Sequence, residues 1–245
     1  RPVREARSLR LMWAVPPEKH WQPSKAPGLI GALIDHEGEG GLHHLLTRVL
    51  EPPLATSVSA SMLYSLTDRC IFGVSVALTP EGLARHREVA RHVFSYLSLL
   101  AREAEGPAAG LARVHAEYAS IARLSFEYAE PPEPLALVKA AASRLRATAA
   151  ESLLWQGFDW GGAMQPQPVR ELLGLLSPPR CALMLVAGGL PASMTEPVYG
   201  TRYDLSPLPV ETLEAWADAP PHAALHLPPP NRFLPDDLAI LPAAP

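Results

Sequence analysis

ATSVSASMLYSLTDRCIFGVSVALTPEGL, residues Ala55–Leu83, carries most of the information about the architecture. Ala55–Ser65 has the alternating, small side chains of a half-buried strand, and Cys70–Leu78 is an apolar run typical of a buried strand. The short polar link at Thr67–Asp68 predicts a hairpin between the two. The stretch therefore predicts an antiparallel strand pair.

A long helix is predicted directly after this hairpin. Thr79–Glu81 supplies an N-cap, a proline at the first helical position and an acid in the first turn. Apolar residues then recur on one helical face: Leu83, Ala90, Val93, Phe94, Leu97 and Leu100. A second helix is predicted between Gly106–Pro107 and the PPEP sequence at 131–134, and a third over Leu135–Ala149.

The remaining elements favour an α+β fold. We predict further strands at Ser8–Val15 and Arg180–Gly188, and short helices from Pro27 and over Leu42–Leu50. Because several helices follow one another between strands, the order is not that of parallel βαβ units. A mostly antiparallel sheet with helices packed on one face fits better. We predict one α/β domain over residues 1–204. Residues 205–245, with 10 prolines in 41 positions, form a C-terminal segment of that domain that wraps over its surface or links to another.

The composition excludes several classes of protein. The chain has 245 residues, 48% of them hydrophobic and 19% charged, which is enough for a sizeable core. A net charge of −4 argues against a nucleic-acid partner, and no apolar run is long enough to cross a membrane. Cys70 and Cys181 lie in apolar strand-like runs and read as free buried thiols, which favours a reducing, cytoplasmic location. Both ends of the chain look cut from a longer protein.

DHEGEGGLHHLL, residues Asp35–Leu46, suggests a metal site by its residue types but not by their spacing. A zinc motif H-E-x-x-H would need a second histidine four positions after His36, where Gly40 stands. The inverted motif H-x-x-E-H is also missing from the chain. We therefore predict no catalytic residue and no metal ligand. An independent metal-binding domain that uses His36, His43 and His44 is a weaker alternative.

Several segments together resemble the insulysin/pitrilysin family of zinc metallopeptidases. They occur in family order: LRLMWAVPP, PGLIGALIDHEGEGGLHHLL, ATSVSAS, VALTPEGL, EPVYGTRYDL and NRFLPDDLAILP. The resemblance implies a chamber of four homologous α/β domains that encloses unfolded peptides, of which this chain matches the second. The zinc motif lies in the first domain of the family, so zinc is expected in that missing domain, and this chain should be inactive alone.

The resemblance also implies a peptide-binding exosite. In the family, a glycine-rich turn and the strand after it anchor the N-terminal part of the substrate. The matching residues here are His36, Glu37, Gly38 and Gly40 in the turn, and Ser57, Val58, Ser59, Ala60 and Ser61 in the strand. A plainer interpretation is that the glycines only allow a turn between two helices.

The match to the family is incomplete at this site. Asp35, Glu39 and Gly41 alter the turn, and the strand reads SASM where several relatives have paired glycines, so its side chains are bulkier. The leading hypothesis is a non-catalytic substrate-binding domain of an insulysin-like endopeptidase. The alternative is a structural module of an inactive member that acts as a scaffold or partner subunit. Expected partners are peptides and the other domains of the parent, with a homodimer left open.

Overall fold

Four antiparallel strands form the main sheet of the computed structural model, which describes residues 7–145, 148–235 and 237–238. The strands lie in the order β2-β3-β1-β4. Their bounds are β1 Ser8–Val15, β2 Ala55–Ser65, β3 Cys70–Leu78 and β4 Ala182–Val186. A separate two-stranded ribbon consists of β5 Met194–Thr195 and β6 Arg202–Tyr203. The α+β class predicted from the sequence is confirmed.

The predicted helices occur in the predicted order, with differences at several bounds, and further helices are present. Their bounds are α1 Glu18–Trp21, α2 Ala26–Asp35, α3 Leu42–His44, α4 Pro80–Ala84, α5 His86–Glu105, α6 Ala109–Glu127, α7 Pro134–Arg144, α8 Pro166–Leu175 and α9 Val210–Ala217. The single helix predicted after Thr79 is interrupted at Arg85, and α3 continues as a π-helical turn, Leu45–Val49. The helix predicted to reach Ala149 ends at Arg144, and residues 146 and 147 lie outside the described residues. None of the helices in the described part of the chain has the length and apolar character that a membrane span requires.

One face of the sheet carries the core. Leu9, Leu11 and Trp13 alternate along β1, are at most 1% exposed, and pair in register with Val76, Val74 and Phe72 of β3. Helices α2, α5 and α8 pack on this side of the sheet, because every second side chain points towards them. On the other face, which is called the open face below, the side chains of β1 are half-buried or exposed.

Thr79 links the hairpin to the helix that follows it. Its hydroxyl oxygen accepts a hydrogen bond from the Gly82 N–H at 2.9 Å, as predicted for an N-cap, and its hydroxyl group donates to the Pro53 carbonyl at 2.7 Å. Gly82 leaves no room for a side chain, since a Cβ there would lie 1.8 Å from the Leu54 carbonyl oxygen. The start of α4 is therefore packed directly on the chain that enters β2.

Helix α9 and the segment after it pack on α5. Trp216 stacks on Phe94 with 5.4 Å between ring centroids, and its indole N–H donates to the Arg87 carbonyl at 3.1 Å. The Ser95 hydroxyl donates to the Pro220 carbonyl at 2.8 Å. These contacts attach part of residues 205–245 to α5. The division at residue 204 itself stays a prediction.

The two cysteines differ in burial. Cys70 is buried and Cys181 is half-buried, and neither forms a disulfide. Burial raises the pKa of the Cys181 thiol to about 12, against a smaller opposing effect of a backbone hydrogen bond at Met12. The interpretation of both as unreactive free thiols is therefore consistent with their surroundings.

A matched pair of glycine variants tests the packing at α4. Gly82→Ala should lower the free energy of unfolding by about 1 to 3 kcal/mol, because the new methyl group overlaps the Leu54 carbonyl. Gly174→Ala in α8 is the control, since nothing lies within 4 Å of its Cβ position, and it should raise stability by up to about 1 kcal/mol. Urea unfolding measures both. Equal effects of the two changes would contradict the packing described.

The burial of His92 predicts that the folded chain is less stable in acid. It is 3% exposed, its Nε2 atom has no hydrogen-bond partner among the described residues, and desolvation by burial lowers its pKa to about 4. In the unfolded chain the pKa returns to about 6.5, so below that pH the unfolded state binds a proton that the folded state does not. The free energy of unfolding should fall by up to about 3 kcal/mol between pH 7 and pH 4 because of this residue.

The measurement is urea unfolding at several pH values for the wild type and for His92→Gln, which cannot titrate. The variant should show a flatter fall between pH 7 and pH 4. Parallel pH curves for the two proteins would exclude His92 as a source of the acid sensitivity.

Candidate functional site

The glycine-rich turn follows α2 directly. The helix ends at Asp35, and the turn closes with the Gly41 N–H donating to the Gly38 carbonyl at 3.2 Å before α3 begins. The His36 ring lies against Gly38, where a Cβ would come within 2.5 Å of the ring Nε2 atom. The glycines therefore lie in a turn between two helices.

Gly40 is held by the C-terminal segment. Its φ of +82° lies in the left-handed region that favours glycine, and a Cβ there would lie 2.3 Å from Nδ1 of His226. The His226 N–H donates to the Gly40 carbonyl at 3.1 Å. The backbone and the contact with His226 therefore explain why position 40 is a glycine. This supports the interpretation that Gly40 only allows the turn between two helices.

The turn is acidic, and burial shifts the pKa of two of its groups. Asp35, Glu37 and Glu39 are exposed residues in five consecutive positions. Desolvation raises the pKa of the Asp35 carboxyl, although its hydrogen bond from Ala60 acts in the opposite direction. Desolvation also lowers the pKa of His36, against the attraction of the Glu117 and Glu37 carboxylates. Both shifts favour the neutral forms of these groups.

Strand β2 lies at the edge of the sheet, and its predicted site residues divide between two faces. Ser57, Ser59 and Ser61 are exposed on the open face, while Val58 and Ala60 are only 6% exposed and belong to the core. The side chains of Val58 and Ala60 are therefore not available to a ligand. Only the main chain of these two residues can contribute to binding.

The outer main-chain groups of β2 can be assigned from one contact. The Ala60 N–H donates to Oδ1 of Asp35, so the Ala60 main chain faces away from β3. Since outward and inward main-chain groups alternate along an edge strand, Val58 and Met62 face outward as well. Three residues of β2 thus present main-chain groups at the sheet edge.

Helix α2 brings the turn to this edge. A Cβ at Gly31 would lie 3.0 Å from the Ala60 carbonyl oxygen, so the helix backbone passes close to the strand. At the end of the same helix, Asp35 contacts the Ala60 N–H. The turn and the strand, which are separated by about 20 residues in sequence, therefore lie side by side.

The histidines of the turn do not form a metal site. Within the residues that the structure describes, no three His, Cys, Asp or Glu side chains lie close enough to hold a metal ion. His43 is 9% exposed, and its Nδ1 atom is buried without a hydrogen-bond partner among those residues, whereas His44 is half-buried. The alternative of an independent metal-binding domain gains no support.

Two residues that shape this site could not be assigned from the sequence. Asp35 was identified only as a departure from the family pattern, and its bond to Ala60 depends on how α2 packs. His226 lies in a proline-rich stretch with no periodic signal, 186 residues after its partner Gly40. Both contacts join segments that are distant in sequence.

Sequence comparisons connect the chain to known peptidases. Residues 126–244 match a family model described as the middle or third domain of peptidase_M16. Insulin-degrading enzyme-like 1, peroxisomal, from Arabidopsis thaliana is 28% identical over 242 residues, which are 98% of this chain and 24% of that protein. Human nardilysin is 26% identical over 248 residues, 98% of this chain and 21% of that protein. The chain thus spans about a quarter of the length of these relatives.

Solved structures agree in fold. The structure of pitrilysin superposes on 98% of this chain with a TM-score of 0.86 and 22% sequence identity. The match covers 25% of the pitrilysin chain. The periplasmic protease PqqL from Escherichia coli matches 94% of this chain and 24% of its own with a TM-score of 0.59 at 13% identity. The description of the matched family model names a middle or third domain, so the more specific assignment of this chain to the second domain stays a prediction.

A double-mutant cycle tests the contact between Gly40 and His226. Gly40→Ala should destabilise the chain by more than the 1 to 2 kcal/mol that a left-handed backbone typically costs, because the methyl group also overlaps the His226 ring. In a His226→Ala background the same change should cost only about that amount, since the ring is gone. Urea unfolding of the four proteins gives the coupling. Additive effects would show that His226 does not pack on this turn.

Proposed function

We propose that the chain is a non-catalytic domain of a peptidase of the insulysin/pitrilysin type and that it holds peptide substrates. The parent enzyme would be a zinc endopeptidase whose catalytic residues lie in another domain. The observation that carries this proposal is the edge of β2, where main-chain groups of Val58, Ala60 and Met62 face outward beside the glycine-rich turn. The proposal concerns binding and not cleavage by this chain.

An extended peptide can add to such an edge as a further strand. Main-chain hydrogen bonds then supply affinity without demanding a particular sequence, which suits a binder of unfolded peptides. The exposed side chains of Ser57, Ser59 and Ser61 are short, so they leave space on the open face for the side chains of the added strand. This sequence tolerance is what the chamber of a general peptidase needs.

A cleft at the end of this edge also supports the proposal. Its volume is about 290 Å³, and its lining includes Trp21, Lys25, Gly28, Met62 and Arg144. Because Met62 is one of the outward-facing residues of β2, a peptide that pairs with the edge would pass the mouth of this cleft. The mixture of an indole ring and basic groups could accept one peptide side chain there.

Zinc does not fit the residues that the structure describes. The histidines of the turn lack a third ligand nearby, and no other group of three potential ligands occurs in the described part of the chain. No step of the chemistry is therefore assigned to these residues. Their role in the proposal is to bind and orient the peptide.

The alternative is a scaffold domain in a parent that has lost catalysis. It draws support from the bond between Ala60 and Asp35, because that bond occupies part of the edge that a peptide would use. The sequence of the parent upstream of this domain distinguishes the two. An intact H-x-x-E-H motif there supports the peptidase, and its loss supports the scaffold.

Binding of N-methylated peptides tests the proposal with the 245-residue chain. The probe is an unstructured peptide of about 20 residues with a free N-terminus and a fluorescein at its C-terminus, and fluorescence anisotropy gives its affinity. Two versions carry N-methyl groups on alternate residues, one on odd and one on even positions. A strand that pairs with an edge uses only every second N–H, so one version should bind at least about tenfold more weakly and the other should bind normally.

A pair of variants locates the binding to β2. Met62→Pro removes an outward N–H, which an edge strand tolerates, and should weaken binding, whereas Met62→Val keeps the N–H and should not. Circular dichroism controls for folding. Equal loss with both methylated peptides, or equal affinities of the two Met62 variants and the wild type, would contradict strand pairing at this edge.

A further inference from the structure

Asp35 occupies the centre of the proposed peptide-binding edge. Its Oδ1 atom accepts the hydrogen bond of the Ala60 N–H, and Ala60 is the middle one of the three outward-facing residues. A peptide strand that pairs with the edge must bond to two successive outward residues, either Val58 and Ala60 or Ala60 and Met62. Every such register includes Ala60.

We infer that Asp35 is an internal competitor of the peptide, because its carboxylate holds the N–H that a bound peptide strand needs. This inference rests on the proposed function and adds a regulatory contact to the same site. Peptide binding at the edge then requires that Asp35 first release Ala60. The affinity of the chain for peptides is set by this exchange as well as by the new contacts.

The position of Asp35 is unfavourable apart from this hydrogen bond. It is the last residue of α2, where the helix dipole disfavours a negative charge. Partial burial also disfavours the ionised carboxyl group and raises its pKa. Helix stability therefore gives no reason for an aspartate here, and the bond to Ala60 offsets only part of the cost of burial.

The exchange requires only a side-chain movement. Asp35 is an exposed residue, so its carboxylate can turn into solvent without displacing the backbone of α2. The helix itself stays close to the strand, as the 3.0 Å distance from a Cβ at Gly31 to the Ala60 carbonyl oxygen shows. Asp35 is thus a removable competitor and not a permanent block.

Peptide affinity of Asp35 variants tests the inference, with the fluorescein-labelled peptide described above. Asp35→Ala removes the competitor and should bind about threefold to tenfold more tightly than the wild type. Asp35→Asn keeps a weaker, neutral acceptor and should fall between them. Glu214→Gln is the control, since it removes one negative charge from an exposed position of α9, outside the proposed site, and should leave the affinity unchanged.

Amide hydrogen exchange gives a second measurement that does not depend on the peptide. NMR should show the Ala60 amide protected from exchange in the wild type and in Glu214→Gln, and exchanging faster in Asp35→Ala. Saturating peptide should restore its protection in Asp35→Ala, because a peptide carbonyl then replaces the carboxylate. An Ala60 amide that exchanges equally in all proteins would show that the hydrogen bond is not formed.

The outcomes separate the inference from the proposed function. If peptides bind but Asp35→Ala gains no affinity, the exosite stands and the competition is excluded. If no protein binds peptide, the proposed function fails, and the inference fails with it. If Asp35→Ala instead associates with itself in sedimentation and gains no peptide affinity, the carboxylate protects the edge against a second copy of the chain, which also overturns the inference.

Discussion

The close packing of α2 on β2 is the constraint from which the site follows. Gly31 allows the helix backbone to approach the Ala60 carbonyl to a distance at which a Cβ would already be crowded. This approach fixes where α2 ends relative to the strand, and so places Asp35 at the Ala60 N–H. A larger residue at Gly31 would push the helix outward, and the turn would move away from the edge with it.

An exposed edge strand permits peptide binding and aggregation for the same reason. Its outward main-chain groups can bind a peptide, but they can equally pair with another copy of the protein. Natural sheets protect such edges with charged residues or with a covering segment. In this chain, Asp35 satisfies one N–H of β2 while the serines beside it remain exposed. A protected edge that can be opened is compatible with binding unfolded peptides without aggregating.

The sequence predicts the elements that depend on local patterns. Strands β1, β2 and β3 have the predicted bounds because side chains alternate along them, and Thr79 forms the predicted cap because capping needs only neighbouring residues. The sequence does not predict the break at Arg85, because the apolar face continues across it. The short helix α4 is positioned instead by its contact with Leu54. Periodicity does not report such a contact.

For the predicted site residues, too, local sequence identifies the elements and tertiary packing decides the details. The sequence identifies the turn and the strand through the family resemblance, and packing then decides what each residue can do. Val58 and Ala60 face the core, so only their main chain is available, whereas the serines face outward. The alternation of Val58 and Ala60 with serines already predicts which set faces the core, but not which element packs against the edge of the strand. That element is α2.

The turn is held from a second side by the C-terminal segment. His226 bonds to Gly40, and a few residues further on the Asn231 N–H donates to Glu117 of α6, the carboxylate that also attracts His36. Arg113 pairs with the same Glu117 at 2.6 Å. Helix α2 thus fixes the turn to the strand, and the tail fixes it to α6. Because the backbone of the turn is anchored on both sides, the freedom that remains near the edge belongs to the exposed side chain of Asp35.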